Sequence, residues 1–418
     1  MASLHGTHVL QSEAREDLAH VVGHAAMPAE AAQKVKALDA QAQGLLSVFE
    51  RAGYEQVAPA VIQPAGLFLD VVGEALRART YVFTDPDGEE LCLRPDLTVP
   101  TCRLHLARYP GGNVPARYCY SGSAFRYQAG GATSAHPTEF RQAGIESFAA
   151  ADREHDDATV LALIVEALRE AGLERCQLSI GDLGLFSALL DAIAMPERWR
   201  RRLWHHFWRR DSFRRVLMRL TSQEALRAHN LPSHLIQRLD PAKPEEAQSI
   251  VEGFMEQAGL ELIGTRTLHE IVERLLAAAA DGREAPLDMT MAALIDSFTL
   301  VRAPAAEAVR RLADLLRPHK VDIDAPFDAF RRRLELLNSF GVDIADAQFS
   351  AVFGRSLEYY TGFVFEVIAP KLGVTSPIAG GGRYDGLLVD MGAPLTVPAV
   401  GSCIHTERLL AVVEGEAA

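Results

Sequence analysis

The sequence predicts an α+β fold: an antiparallel sheet flanked by helices and interrupted by a helical insertion. Three observations carry this. Residues 81–94 and 116–148 each read as strand, turn and strand, the signal of a hairpin and not of a crossover. Between about residues 185 and 325 the pattern is that of helices alone. Beyond residue 350, strand-like runs return. The 418 residues suffice for a complete core plus a second lobe. The expected division is therefore 1–185 for the first part of the core, 186–327 for the insertion and 328–418 for the second part.

The elements follow in order. Residues 28–52 read as a helix. Pro28 suits a helix start, Val35, Leu38, Ala42, Leu45 and Phe49 recur at spacings of three and four, and Gly53 can close the end. Residues 55–62 are short and β-prone. The first hairpin joins 81–84 to 90–94 through Asp85-Pro-Asp-Gly88. The second joins 116–125 to 140–148 through a small, polar tip at 128–138. A helix over 156–170 stops at Gly172, and 176–180 is again strand-like. Inside the insertion, Thr267-Leu-His-Glu270 is a capping box before an apolar run. Residues 350–353 and 363–369 read as strands, and a glycine-rich junction leads to a terminal helix.

Composition narrows the function. The formal charge is −13, and the cations are nearly all arginine, with lysine only at 34, 36, 243, 320 and 371. Surplus acid argues against broad adhesion to nucleic acid, which needs clustered cations. The cysteines, at 92, 102, 119, 176 and 403, make no CxxC pair, so neither a zinc ribbon nor a disulfide framework is indicated, and buried thiols are expected. No run approaches the ~18 apolar residues of a membrane span. The first residues also lack the basic-then-apolar order of a secretory signal. A soluble cytoplasmic protein without metal or cofactor is expected.

The candidate site lies in Leu93-Arg-Pro-Asp-Leu-Thr98, Phe125-Arg126, Phe140-Arg-Gln142-Ala-Gly-Ile-Glu146, Gly354-Arg355-Ser-Leu-Glu358-Tyr359-Tyr360 and Gly380-Gly-Gly-Arg383-Tyr384. Singly, each has a plain structural reading: a solvated arginine, a glycine turn, a Tyr-Tyr pair with its rings on opposite faces of a strand. Together they offer what an amino-acid zwitterion needs. Asp96 can hold an ammonium, Arg126 or Arg355 a carboxylate, and Thr98 and Gln142 can orient both. Glu146 with a tyrosine hydroxyl suits an imidazole, which has one nitrogen to donate and one to accept.

These motifs, in this order, resemble the class II histidyl-tRNA synthetase family. Phe125-Arg126 with Phe140 to Glu146 is similar to its motif 2, Arg355 to Tyr360 and Gly381 to Gly386 to its two histidine motifs, and Val400-Gly401 with Glu407-Arg408-Leu409 to its motif 3. The resemblance spans roughly 30–185 and 328–410 and leaves the insertion poorly matched. It implies a histidine pocket. In it Asp96 meets the α-amino group, Thr98 and Gln142 occupy other amino-acid contact positions, Arg355 meets the carboxyl region, and Glu146, Tyr359, Tyr360 and Tyr384 line the imidazole side. Arg126 matches the arginine that meets carboxylate and α-phosphate in synthetases.

The departures are as informative. Gln128 stands where synthetases carry an acid, and the tip 129–136 holds no lysine or arginine, leaving Arg126 and Arg408 to meet phosphates. His405 stands where a glycine lets adenosine approach the backbone. Only the residues up to Ala418 follow Arg408, too few for an anticodon-binding domain of ~50 residues. This combination resembles the regulatory subunits of ATP phosphoribosyltransferase. In that family the synthetase-like chain is not the catalyst. A separate short-form catalytic subunit joins ATP to phosphoribosyl pyrophosphate in the first step of histidine synthesis, and L-histidine acts as effector. A homodimer through the first helix and following strand is implied as well. The alternative is a divergent histidine-activating enzyme.

One segment stands outside this resemblance. Residues 198–219 carry Trp199, Trp204 and Trp208 among many arginines. As one helix, it places Trp204 and Trp208 on one face and Trp199, Leu203 and Phe207 on the next. The simplest expectation is an aromatic stripe packed inward, with nucleic-acid binding and partner docking as alternatives. The adjacent His205 and His206 lack the spacing of a metal pair.

Overall fold

The structure, a computed structural model, describes residues 31–69, 76–133, 136–227, 233–259, 267–353, 359–373 and 376–415. Its strands in the first half are β1 (Glu55–Gln56), β2 (Ile62–Pro64), β3 (Val82–Thr84), β4 (Glu90–Leu93), β5 (Ala116–Phe125), β6 (Glu139–Phe148) and β7 (Gln177–Asp182). The rest are β8 (Arg302–Pro304), β9 (Gln348–Ser350), β10 (Phe363–Ile368), β11 (Ala379–Arg383) and β12 (Ala399–His405). Nine form one sheet in the order β1-β5-β6-β12-β11-β10-β7-β9-β8, and β2-β4-β3 form a small second sheet. The large sheet is antiparallel except for the pairs β1–β5 and β7–β9. Strands β12, β11 and β10 from the last part of the chain lie between β6 and β7 from the first, so the core closes only when both parts are present.

Both hairpins form as expected. In the first, the Asp85 carboxylate accepts from the backbone N–H groups of Asp87 and Glu89, each at 2.9 Å, and sets the turn. The second pairs Ala116 with Phe148 through to Phe125 with Glu139. The first helix, Ala32–Arg51, buries Leu38, Leu45, Leu46, Val48 and Phe49, with Val35 and Ala42 at the margin; Pro28 lies outside the described residues. The Arg153–Glu170 helix begins earlier than its apolar periodicity announces, because Asp152 caps it by accepting from His155 N. These two helices pack on each other and on the sheet.

The glycine run does not form a junction or turn. Ala379–Arg383 is a fully buried strand between β10 and β12. A Cβ at Gly381 would lie 2.2 Å from the carbonyl oxygen of Gly401, so only glycine lets the two strands approach this closely.

The stretch expected to be helices alone is corrected at one point: Arg302–Pro304 is an edge strand paired with β9. The Leu183–Ala192, Glu197–His206, Arg210–Leu220, Met289–Thr299 and Ala305–Leu316 helices bury residues in the main core. A separate small core of Leu235, Leu239, Ala247, Val251, Val272, Leu275 and Ala279 holds the Ser233–Arg238, Pro244–Ala258 and Leu268–Arg283 helices together. The last of these starts at the capping box, with Thr267 and Glu270 bonded reciprocally. Among the described residues, no helix is long and apolar enough to cross a membrane.

Candidate functional site

The central strands and the segment after β4 meet at a narrow cleft lined by Asp96, Thr98, Arg126, Gln142, Tyr359, Tyr360, Gly380, Gly401, Ser402 and Cys403. Six of the sequence-selected residues thus meet in one place. Each is positioned by its backbone. Asp96 sits just before the Thr98–Arg108 helix and accepts from Val99 N at 3.2 Å, which fixes its carboxylate at the mouth of that helix. Gln142 on β6 is buried, and its amide nitrogen donates to Cys403 Sγ at 3.2 Å. Its Oε1 has no hydrogen-bond partner among the described residues, leaving a buried acceptor at the cleft.

The tyrosines depart from expectation. Tyr359 and Tyr360 precede β10 in an irregular segment instead of alternating along a strand, and both rings turn to the same side. Their centroids lie 4.8 Å apart, and each packs on Tyr384, at 5.8 and 6.5 Å. Arg355 lies outside the described residues.

Glu146 and Tyr384 form the layer beneath the cleft. Glu146 is fully buried, and its two oxygens accept from the hydroxyls of Tyr120, at 2.9 Å, and Tyr384. Burial pushes its carboxyl up to about 7; bonds from Tyr384, Thr98 and Tyr120 pull the other way, and the charge of Asp96 adds to the rise. Burial also drives both phenols well above their ordinary value, so they act as donors. Gly401 makes room for the carboxylate, since a Cβ there would lie 1.6 Å from Glu146 Oε2. The arrangement is a buried, proton-poised acceptor behind a cleft that carries the Asp96 carboxylate. Sequence reading missed Tyr120. Its only signal was alternation with Tyr118 on a strand paired to the one carrying Glu146.

The arginines at and beside the cleft are engaged by the chain itself. Arg126 donates to Pro95 O at 2.9 Å and lies over the Phe140 ring at 5.0 Å. Arg408 donates to Pro377 O at 2.8 Å and approaches His136 Nδ1 at 3.3 Å. Burial, with the Arg408 charge, lowers the His136 imidazole below its usual range, consistent with a neutral ring that accepts from Arg408. His405 is buried, its ring 5.1 Å from that of Phe140. A third arginine, unremarked in the sequence, joins them: Arg79 donates to Tyr127 O and, at 2.7 Å, to Gln128 Oε1. Gln128 in turn donates to Pro137 O, closing the tip on itself.

The arginine–tryptophan segment is two helices, not one, with a break at Phe207 to Arg209. Trp199, Leu203 and Phe207 are buried, and Trp204 stacks on Phe186 and Phe207. Several arginines are matched within the molecule: Arg198 and Arg202 on Asp281, Arg200 near Asp191, and Arg214 on Asp296.

Comparison with known proteins agrees with this geometry. The histidyl-tRNA synthetase family profile matches residues 24–242 and 246–409. A Brucella anthropi protein described as ATP phosphoribosyltransferase regulatory subunit is 35% identical over 358 residues, covering 84% of this chain and 92% of the relative. One of the same description from Allorhizobium ampelinum is 34% identical, covering 88% and 96%. Among solved structures, an ATP phosphoribosyltransferase regulatory subunit/histidyl-tRNA synthetase from Bacillus halodurans superposes with a TM-score of 0.62 at 21% identity, over 93% of this chain and 82% of that one. A histidine–tRNA ligase subunit from Alicyclobacillus acidocaldarius gives 0.56 at 26% identity, over 94% and 96%. With a synthetase-like fold and relatives at 34–35% identity over most of its length, this protein belongs to the family of ATP phosphoribosyltransferase regulatory subunits.

Proposed function

We propose that the chain is a noncatalytic regulatory subunit of ATP phosphoribosyltransferase that senses L-histidine in the cleft between Asp96, Gln142 and Glu146. It assembles with a short-form catalytic subunit, is required for that subunit's activity, and brings feedback to the first step of histidine synthesis. One contrast supports this reading above all. The amino-acid side of the site keeps its acceptors and Arg126, whereas Arg408 and Arg79 beside it are bound to the chain's own carbonyls, His136 and Gln128.

Histidine fits this chemistry. Asp96 receives the ammonium, Gln142 Oε1 accepts a further N–H, and Glu146 with its two tyrosines meets the imidazole, while Arg126 and Arg355 serve the carboxylate. To regulate at a distance, histidine must bind two states of the assembly unequally, and a difference of ~1–3 kcal/mol is enough. A homodimer is part of the proposal. Among the described residues β1 is one edge of the large sheet, and the small sheet exposes Ile62, Val82 and Phe83 next to Val61, an apolar surface suited to a second copy.

The test is reconstitution. Phosphoribosyl transfer by a short-form catalytic subunit should appear only when this chain is added, and histidine should suppress it. Histidine at a hundred times its dissociation constant should stabilise the chain alone by about 2.7 kcal/mol. Arg355→Ala and Glu146→Ala should each remove that gain without unfolding the protein. Histidine-dependent exchange of pyrophosphate into ATP by the chain alone would replace this reading with a histidine-activating enzyme.

A further inference from the structure

A buried set of charges joins the cleft to the second part of the chain. Asp157 is fully buried, and each of its oxygens meets a different arginine. Arg383 Nε donates to Oδ1 at 2.8 Å, and Arg333 Nε donates to Oδ2 at 2.7 Å. Arg383 also donates to Asp385 at 2.8 Å and to Arg153 O at 3.0 Å. Arg333, from the Asp324–Ser339 helix, reaches Asp182 at 3.3 Å, and Asp182 caps the Leu183–Ala192 helix where the insertion starts. Burial opposes charge on both arginines, but the surrounding carboxylates outweigh it and hold the guanidiniums more firmly protonated than usual.

Arg383 is the neighbour of Tyr384, and its backbone carries the rest of the cleft wall. Thr361 N donates to Arg383 O at 2.8 Å, and Asp385 N donates to Thr361 Oγ1 at 3.1 Å, anchoring the segment that bears Tyr359 and Tyr360. Arg333 touches none of the cleft residues. We propose that Arg333 is a positioning residue for the amino-acid site: by clamping Asp157 against Arg383 it holds Tyr384 on Glu146 and the 359–361 segment at the cleft wall. This rests on the amino-acid-sensing reading, and it assigns the second part of the chain a share in setting the cleft's affinity.

A purely structural ion pair would affect stability alone. A positioning role also alters the proton poise of Glu146, because the Tyr384 bond is among those that pull its carboxyl down. The groups facing Glu146 are Thr98, Cys102 and Asp96 in or before the Thr98–Arg108 helix, Tyr120 on β5, Tyr384 after β11 and, farther away, Tyr54; Cys403 on β12 acts on Tyr120.

The experiment titrates the Glu146 carboxyl in the ligand-free protein by infrared difference spectroscopy, its band identified by its loss in Glu146→Gln. Arg333→Lys keeps the charge and removes the planar fork. It should raise the midpoint by roughly one pH unit and weaken histidine binding at least about fivefold. Arg333→Gln should do the same where it folds. In a Tyr384→Phe background Arg333→Lys should add no further change, because both act through one bond. An unmoved midpoint in folded Arg333→Lys, or a shift that adds fully to that of Tyr384→Phe, overturns the proposal. Absence of any histidine binding by the unaltered chain would defeat the sensing reading instead, and the carboxyl titration would still decide the role of Arg333.

Discussion

Glu146 is a carboxyl group in a dry core, held there by two tyrosine hydroxyls. Its hydroxyl partners offset part of the desolvation cost, and the remainder appears as a carboxyl pushed from 4.5 up to about 7. The folded state therefore holds a proton that the unfolded state releases between those values. Stability must fall as pH rises through that window and flatten above it. Glu146→Gln, always neutral, should abolish this slope, measured as the difference in Tm between pH 5 and pH 7.5. A slope unchanged in the variant would assign the linkage to another group.

Strands β11 and β12 and the paired helices of the insertion show how elements are held by single contacts. Gly381→Ala would drive a methyl group into the Gly401 carbonyl, backbone against backbone, with no flexible side chain to yield. The expected loss is about 3 kcal/mol or more in urea melts. Gly130→Ala in the hairpin tip, where no atom lies within 4 Å, should cost less than about 0.5 kcal/mol. In the insertion, Asp281 accepts from Arg198 and Trp199 and pairs with Arg202, so it joins the Leu268–Arg283 helix to Glu197–His206. Asp281→Asn removes the carboxylate from Arg202 and leaves Arg198 with Glu284 alone, an expected loss of about 2 kcal/mol. Tryptophan fluorescence reports it directly, since all three tryptophans lie at 199, 204 and 208. This use of the arginines explains why a cation-rich segment exists in so acidic a chain without requiring a phosphate ligand.

Taken whole, the molecule carries −13 and closes its sheet by setting the late strands β12, β11 and β10 between the early strands β6 and β7. Its exposed apolar surface on β2 and β3 leads to a further expectation. Ile62→Glu with Val82→Glu should convert a dimer to a monomer by light scattering and leave the circular dichroism unchanged. A persistent dimer would move the interface elsewhere. Neither side chain contributes to the main core, so folding should survive the change.

The hairpins, the first helix and the capping box were legible because their determinants are local: periodicity, turn residues and an Asp or Thr within a few positions of the N–H it accepts. Asp96, Gln142, Glu146 and the tyrosines were legible as an ordered set of motifs, since chemistry demands particular side chains wherever the chain places them. The glycine run was misjudged because glycine in a turn and glycine under a neighbouring strand look alike until the neighbour is known. Tyr120, Arg79 and Arg333 were invisible for the same reason, as each acts on a residue far away in sequence. The ordered motifs thus determined the family and the class of fold. Only the packed sheet decided which oxygens are buried, which cations are spent and which distant arginine stands behind the cleft, because burial and pairing energies depend on three-dimensional neighbours.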